Sequence, residues 1–214
     1  MKLSKGAWVI IVILLILLAD QTLKIWIKTH LMLYEDIRIT SWFLLRFVEN
    51  DGMAMGIEVI EKFFLTVLRI VASIAIIYYL YILIKKGYKL GYILCVSLIF
   101  AGAVGNIIDC LFYGVIFNDS PAYNPYLPHQ AAVLFPEERG YGTLFHGKVV
   151  DMFYFPLFEF RWPVWIPFVG GQEFLFFRYI FNVADAAISV GIIILILFYR
   201  KTFFTSLEKK KVEN

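Results

Sequence analysis

Four long apolar stretches organise the chain, running roughly from Ala7 to Ile27, Phe63 to Ile84, Leu90 to Tyr113 and Phe174 to Tyr199. Each supplies the roughly 20 residues that a helix, rising about 1.5 Å per residue, needs to cross a hydrocarbon core. The pattern predicts an all-α membrane protein, a single domain over residues 1–214 with four transmembrane helices. Lys2 and Lys5, the apolar run from Ala7 to Leu18 and the small Ala19 also fit a secretory signal peptide. Apolar residues continue through Ile27, however, and three further spans follow, which favours a retained helix.

The connections 28–62 and 114–173 are not plain linkers. Glu35 to Val48 reads as extended chain, with Ile37, Ile39 and Trp42 ahead of a turn at Asn50-Asp51-Gly52. Phe158 to Phe168 holds Trp162, Pro163, Trp165 and Pro167, a composition that suits the headgroup belt better than a span. Asn118 to Gly142, rich in Pro, Tyr and Gly, reads as an extended outer loop or lid. The expectation is therefore a helical bundle carrying a small extracytoplasmic β-rich segment and a long outer loop.

Composition agrees with a bilayer protein: 61% of residues are hydrophobic and only 17% charged, against about 25% charged in ordinary soluble domains. The net charge of +3 suggests no nucleic-acid partner, and its distribution is more informative. The N-terminus, the Lys85–Lys89 connection and the tail from Arg200 hold ten of the 20 Lys and Arg residues but only two acidic ones. That side carries +8 and the remainder −5, so the positive-inside rule places both termini in the cytoplasm and the two long connections outside. Cys95 and Cys110 are too few for a disulfide scaffold or a Cys-x-x-Cys zinc site. His30, His129 and His146 lack ligand spacing, so no metal is expected.

Candidate chemistry lies where polarity is expensive. A carboxylate at membrane depth costs at least ~2.5 kcal/mol, so ionisable residues there read as functional by default. Asp20 and Lys24 sit at i and i+4 on the first span, Asn106 and Asp109 at i and i+3 on the third, and Asn182 and Asp185 repeat that spacing on the fourth. Asp151 follows Val149-Val150 in the outer connection. With the spans oriented as above, all these groups fall near one level, in the outer part of the membrane. Asp20 with Lys24 can be only an intrahelical ion pair, Asn106 and Asn182 only interhelical hydrogen bonders, and Arg69 a snorkelling cation. Asp109, Asp151 and Asp185 lack matching cations, so they must share protons or hold water. Two close carboxyls holding one proton can activate water and protonate a leaving group, the logic of aspartic proteolysis. Aligned intramembrane Asp and Asn also mark ion paths, so a small proton- or ion-coupled carrier is the rival reading. A carrier needs polar groups continuing inward, whereas the inner halves of the spans are almost purely apolar. A noncatalytic scaffold gives no reason to embed three acids.

Five short blocks carry a family resemblance: DQTLK at Asp20–Lys24, FVENDGMAMG at Phe47–Gly56, GNIID at Gly105–Asp109, VVDM at Val149–Met152 and FNVADAAISVG at Phe181–Gly191. In this order, on four spans, they resemble the lipoprotein signal peptidases (signal peptidase II), integral aspartic peptidases of bacteria. The resemblance implies that Asp151 and Asp185 form the catalytic dyad, a choice over Asp109 that the residues alone do not make. It implies supporting or substrate-binding roles for Asp20, Lys24, Asn50, Gly52, Asn106, Asp109 and Asn182. It also implies a substrate: a prolipoprotein whose lipobox cysteine carries diacylglycerol, cut just before that cysteine at the outer face of the bacterial inner membrane. Signal peptides of such substrates and membrane lipids are the implied partners.

The chain departs from the family pattern at three places. Cys110 stands where the family usually has Arg, and Met53 and Met55 replace the usual Ala and Phe. The Asp109-to-Asp151 connection spans 42 positions where the family has a short link, and the Asp151-to-Asp185 stretch is also extended. Leu111–Phe145 is expected to form an outer flap whose shortening leaves cleavage intact but changes substrate preference.

Overall fold

The computed structural model describes residues 3–50 and 59–212. Four helices are long and apolar enough to span a membrane: α1 (Lys5–His30), α2 (Val59–Lys85), α3 (Leu90–Ile108) and α5 (Val183–Val212). Beyond Ile108 the α3 axis continues through a π-helical turn, Asp109–Tyr113, and the short α4 (Gly114–Ile116). Ser4 caps α1 through its hydroxyl, which accepts from Ala7 N at 3.1 Å. The tight turn between α2 and α3 passes through Gly87 at φ +73°, a backbone region open to glycine.

α3 lies at the centre. Of its apolar window 61% is buried, against 11–17% for the other three, which present Leu, Ile and Phe side chains outward. Close approach to α5 depends on small residues: a Cβ on Gly102 would meet the Ala184 carbonyl oxygen at 2.2 Å. Lys5 Nζ donates to the Gly87 and Tyr88 carbonyls at 2.8 and 2.6 Å, so the start of α1 meets the α2–α3 turn. The end of α5 joins them there, where Tyr79, Tyr92 and Ser206 hydroxyls bond to one another. That end of the bundle is thus not wholly apolar, but its cluster is of hydroxyls.

The helices carry a sheet at the opposite end, so the all-α expectation holds only for the spanning part. Strands β1 (Asp36–Arg38), β2 (Leu44–Asn50), β3 (Val149–Tyr154) and β6 (Ile180–Phe181) form one antiparallel sheet in the order β1-β2-β3-β6. The extended reading of Glu35–Val48 corresponds to β1 and β2. The register between β2 and β3 shifts between Leu45 and Val48. β4 (Phe158–Arg161) and β5 (Glu173–Phe176) form a separate hairpin. The sheet packs on the helix ends through a core of Ile27, Leu31, Phe47, Tyr113, Val150 and Met152.

The fourth span begins at Val183, not near Phe174. Hydropathy reads Phe174-Leu-Phe-Phe-Arg-Tyr-Ile-Phe181 as the start of a helix, but aromatic and β-branched residues favour strands. The backbone accordingly passes through β5 and β6 before Asn182 starts the helix.

Candidate active site

The sequence Asn182-Val-Ala-Asp185 is a helix start. Asn182 Oδ1 accepts from Asp185 N at 2.9 Å, and Asp185 Oδ2 accepts from Asn182 N at 3.3 Å. This is the reciprocal arrangement of a capping box, with Asn and Asp in the usual Ser and Glu places. Asp185 therefore lies in the first turn of α5, where free N–H groups and the helix dipole favour negative charge. A third helix contributes as well: Asp20 Oδ1 on α1 accepts from Ala184 N at 2.9 Å.

Asp151 reaches the same place from β3. Its Oδ1 accepts from Asn182 Nδ2 at 2.7 Å and its Oδ2 from Asn50 Nδ2 at 3.4 Å. Asn182 thus touches both carboxyl-bearing residues, capping with its oxygen and donating with its nitrogen. Burial, with the Asp185 charge adding to it, pushes the Asp151 carboxyl up to about 7, although Asn50, Lys24 and Asn182 pull the other way.

Behind these two carboxyls stands a second set. Lys24 Nζ lies 2.9 Å from Asp20, 2.8 Å from Asp109 and 2.9 Å from Asn106 Oδ1, using all three ammonium protons. Asn106 links the sets, accepting from Lys24 and from Asn182 Nδ2 (3.1 Å) and donating to Asp185 Oδ1 at 2.8 Å. Asp109 Oδ2 also accepts from Val150 N at 3.3 Å, which fixes the strand one residue before Asp151. Four carboxyls in this network stand around one ammonium, which pairs directly with Asp20 and Asp109.

Of the residues singled out in the sequence, Asp20, Lys24, Asn50, Asn106, Asp109, Asp151, Asn182 and Asp185 are thus linked in one network. Gly52, with Met53 and Met55, lies outside the described residues. Arg69 does not reach away as a snorkelling cation; its Nη1 donates to Cys110 Sγ at 3.2 Å. Gln21 was not anticipated. Its Nε2 bonds Asp20, Asp109 and the Gly105 carbonyl at 2.9–3.1 Å, and its Oε1 accepts from Tyr113. Its place inside DQTLK was the available signal. Among the described residues no group of three or more His, Cys, Asp or Glu side chains is placed to hold a metal ion.

An open cleft of about 390 Å³ exposes this site, lined by Glu49, Asn50, Asp151, Arg178, Tyr179 and Ile180 among others. The floor is the β2–β3 pair and the far wall is the approach to β6.

A family model described as Signal peptidase (SPase) II matches residues 12–201. A lipoprotein signal peptidase of Porphyromonas gingivalis is 48% identical over 211 residues, 98% of this chain and 90% of that protein. One from Amoebophilus asiaticus is 32% identical over 203 residues, 92% of this chain and 79% of that protein. A solved bacterial membrane enzyme shares the fold at a TM-score of 0.59 with 23% identity, covering 88% of this chain and 90% of its own. With matches spanning nearly its whole length, the chain belongs to the signal peptidase II family of membrane peptidases.

Proposed function

We propose that this protein is an aspartic endopeptidase that removes the signal peptide from diacylglyceryl-modified prolipoproteins, cutting before the lipidated cysteine. The observation that carries this reading is the meeting of Asp151 and Asp185 through Asn182 at an open cleft. Charge asymmetry supports cytoplasmic termini and a site near the outer face of the bacterial inner membrane. A lipidated cysteine sits at that depth, and the dyad supplies the water chemistry needed there.

In this reading Asp151 holds the proton at rest and Asp185, on the helix N-terminus, carries the charge. Asp185 takes a proton from a water whose oxygen attacks the scissile carbonyl carbon, while Asp151 gives its proton to the carbonyl oxygen. The C–N bond then breaks as Asp185 passes its proton to the leaving amine and Asp151 recovers one from the gem-diol hydroxyl. The products are the signal peptide carboxyl and the free amine of the lipidated cysteine. Lys24, Asp20, Asn106 and Asp109 hold the two acids in place, and Asn50 orients Asp151.

Cleavage of a diacylglyceryl-modified prolipoprotein by the purified protein tests the reading, with Asp151→Asn and Asp185→Asn for comparison. Both variants are expected to fold and to lose cleavage by at least about a thousandfold. Full activity in either would remove the dyad, and inactivity of the wild type on several lipidated substrates would remove the peptidase. The pH profile is a second check. As pH rises through about 7 the proton on Asp151 leaves, so kcat/KM, which reports the free enzyme, should fall on the alkaline side; an alkaline limb beyond pH 9 would contradict this proton assignment.

A further inference from the structure

Outside the carboxyl network the bundle encloses another fully buried ammonium, that of Lys28 in the last turn of α1. Lys28 pairs with Glu49 on β2 and donates to Ser120 Oγ at 2.6 Å, and Ser120 in turn donates to Glu49 at 2.7 Å. Three rings surround the ammonium: Tyr141 at 4.9 Å, Phe117 at 5.2 Å and Phe47 at 5.8 Å. Lys148, at the base of β3, approaches the other Glu49 oxygen at 3.3 Å. Burial alone would raise the Glu49 carboxyl, but Lys28, Ser120 and Lys148 outweigh it and hold the group below the usual range.

This node joins α1, β2 and the long outer segment at a point that matters for the cleft. Glu49 and Asn50 are neighbours in β2, both line the cleft, and Asn50 donates to Asp151. Beyond an irregularity between Leu45 and Val48, the end of β2 pairs in register with β3, Val48 opposite Asp151, Glu49 opposite Val150 and Asn50 opposite Val149. The Lys28–Glu49 pair adds a side-chain tether from α1 and the outer segment to this end of the ladder. We propose that Lys28 is a positioning residue for the reaction: by clamping Glu49 against the outer segment it holds the end of β2, and so the Asn50 carboxamide, over Asp151.

The proposal rests on the peptidase reading for its kinetic consequences, but one of its tests needs no substrate. Three variants of the full chain decide it: Lys28→Met, Lys28→Arg and the pair Lys28→Met with Glu49→Gln. Lys28→Met takes the buried ammonium from the Glu49 carboxylate, leaving it Ser120 and the partly exposed Lys148, and should lower thermal stability; adding Glu49→Gln removes the under-compensated charge and restores most of it. The double variant also leaves the net charge of the node unchanged, and the partly exposed Lys148 stays hydrated in either chain. The other groups facing Asp151, namely Asp185, Lys24 and Asn182, with Arg178 at the cleft, are untouched.

In the double variant kcat/KM should fall on the order of ten- to a hundredfold, mostly through kcat, and Lys28→Arg should recover part of it. The titration of the Asp151 carboxyl, read by infrared and assigned with Asp151→Asn, should move to higher pH, because a donor favouring its carboxylate is lost. A double variant with wild-type kcat and wild-type titration would overturn the proposal, as would a loss that simply follows stability and is repaired in the double variant. Should the wild type cleave nothing, the peptidase reading fails while the infrared titration still decides whether Lys28 positions Asn50.

Discussion

The two long outer segments of this chain are alike in composition and opposite in structure. Residues 117–148 and 155–179 are both rich in aromatic residues, Pro and Gly. The first is docked on the bundle at several points along its length. Tyr123 N donates to the Leu33 carbonyl at 2.8 Å, Gly142 N to Gly114 at 2.7 Å, and Gly147 N to Cys110 at 2.9 Å. Phe117 and Ala132 belong to the core beneath the sheet. The second segment bonds chiefly to itself. Trp162 and Gly171 close the β4–β5 hairpin across Gln172, and Phe158 stacks on Phe176 at 4.5 Å. Its tip leaves Trp165 79% and Phe168 99% exposed. Ring content therefore does not decide whether an inserted segment becomes core or arm. What distinguishes them is polar anchorage: the first segment meets donors and acceptors on the bundle, including carbonyls of the π-helical turn, and among the described residues the second meets none at its tip.

The comparison breaks most visibly at Phe117. Its side chain is fully buried against Tyr113 at a ring-centroid distance of 4.9 Å. Phe117→Ala is expected to cost about 3–5 kcal/mol of stability, the usual range for a large core aromatic. Chemical denaturation in detergent measures this, with Phe168→Ala as the matched change in the other segment, expected within about 0.5 kcal/mol of wild type. Equal losses at the two positions would erase the distinction. A loss near zero at Phe117 would return the first segment to the removable flap that its composition suggests. At the segment's far end a Cβ on Gly147 would stand 1.9 Å from the Asp109 carbonyl oxygen, so the chain there packs directly on the backbone of a network residue.

This contrast also marks how far the sequence could be read. The four spans and the polar residues of the site were legible, because an acid in an apolar run stands out against its neighbours. Depth alone placed Asp20, Asp109 and Asp185 at one level; it could not show that Asn182 caps α5, since an i,i+3 pair looks the same at a helix start as inside one. The start of the fourth span was misplaced for a related reason. Hydropathy counts Phe and Tyr without asking which backbone they prefer, so β5 and β6 were absorbed into the helix. Lys28 escaped notice although it continues the i,i+4 series from Asp20 and Lys24 along one face of α1. Its partners Glu49, Ser120 and Tyr141 lie far along the chain, and no local spacing announces a node assembled from three separate segments.

The smallest expected effect lies at the hairpin tip. From Trp162 to Gly171 the chain carries no charge, while the strands below hold an exposed Arg161–Glu173 pair at 2.8 Å. An uncharged, Trp-bearing tip on a membrane protein fits the headgroup layer, where an indole finds both an apolar environment and polar partners. A chain retaining Trp165 while its other four tryptophans are changed to Phe should show emission quenched by brominated lipids in vesicles. Trp165→Ser in the otherwise wild-type chain should change stability in detergent by no more than about 0.5 kcal/mol. Its effect should appear only in a bilayer, as weaker turnover of lipidated substrate in vesicles with unchanged turnover in micelles. The first segment predicts the reverse, since burial within the protein costs the same in either medium. Unquenched Trp165 emission would place the tip in water and leave the two segments differing in exposure alone.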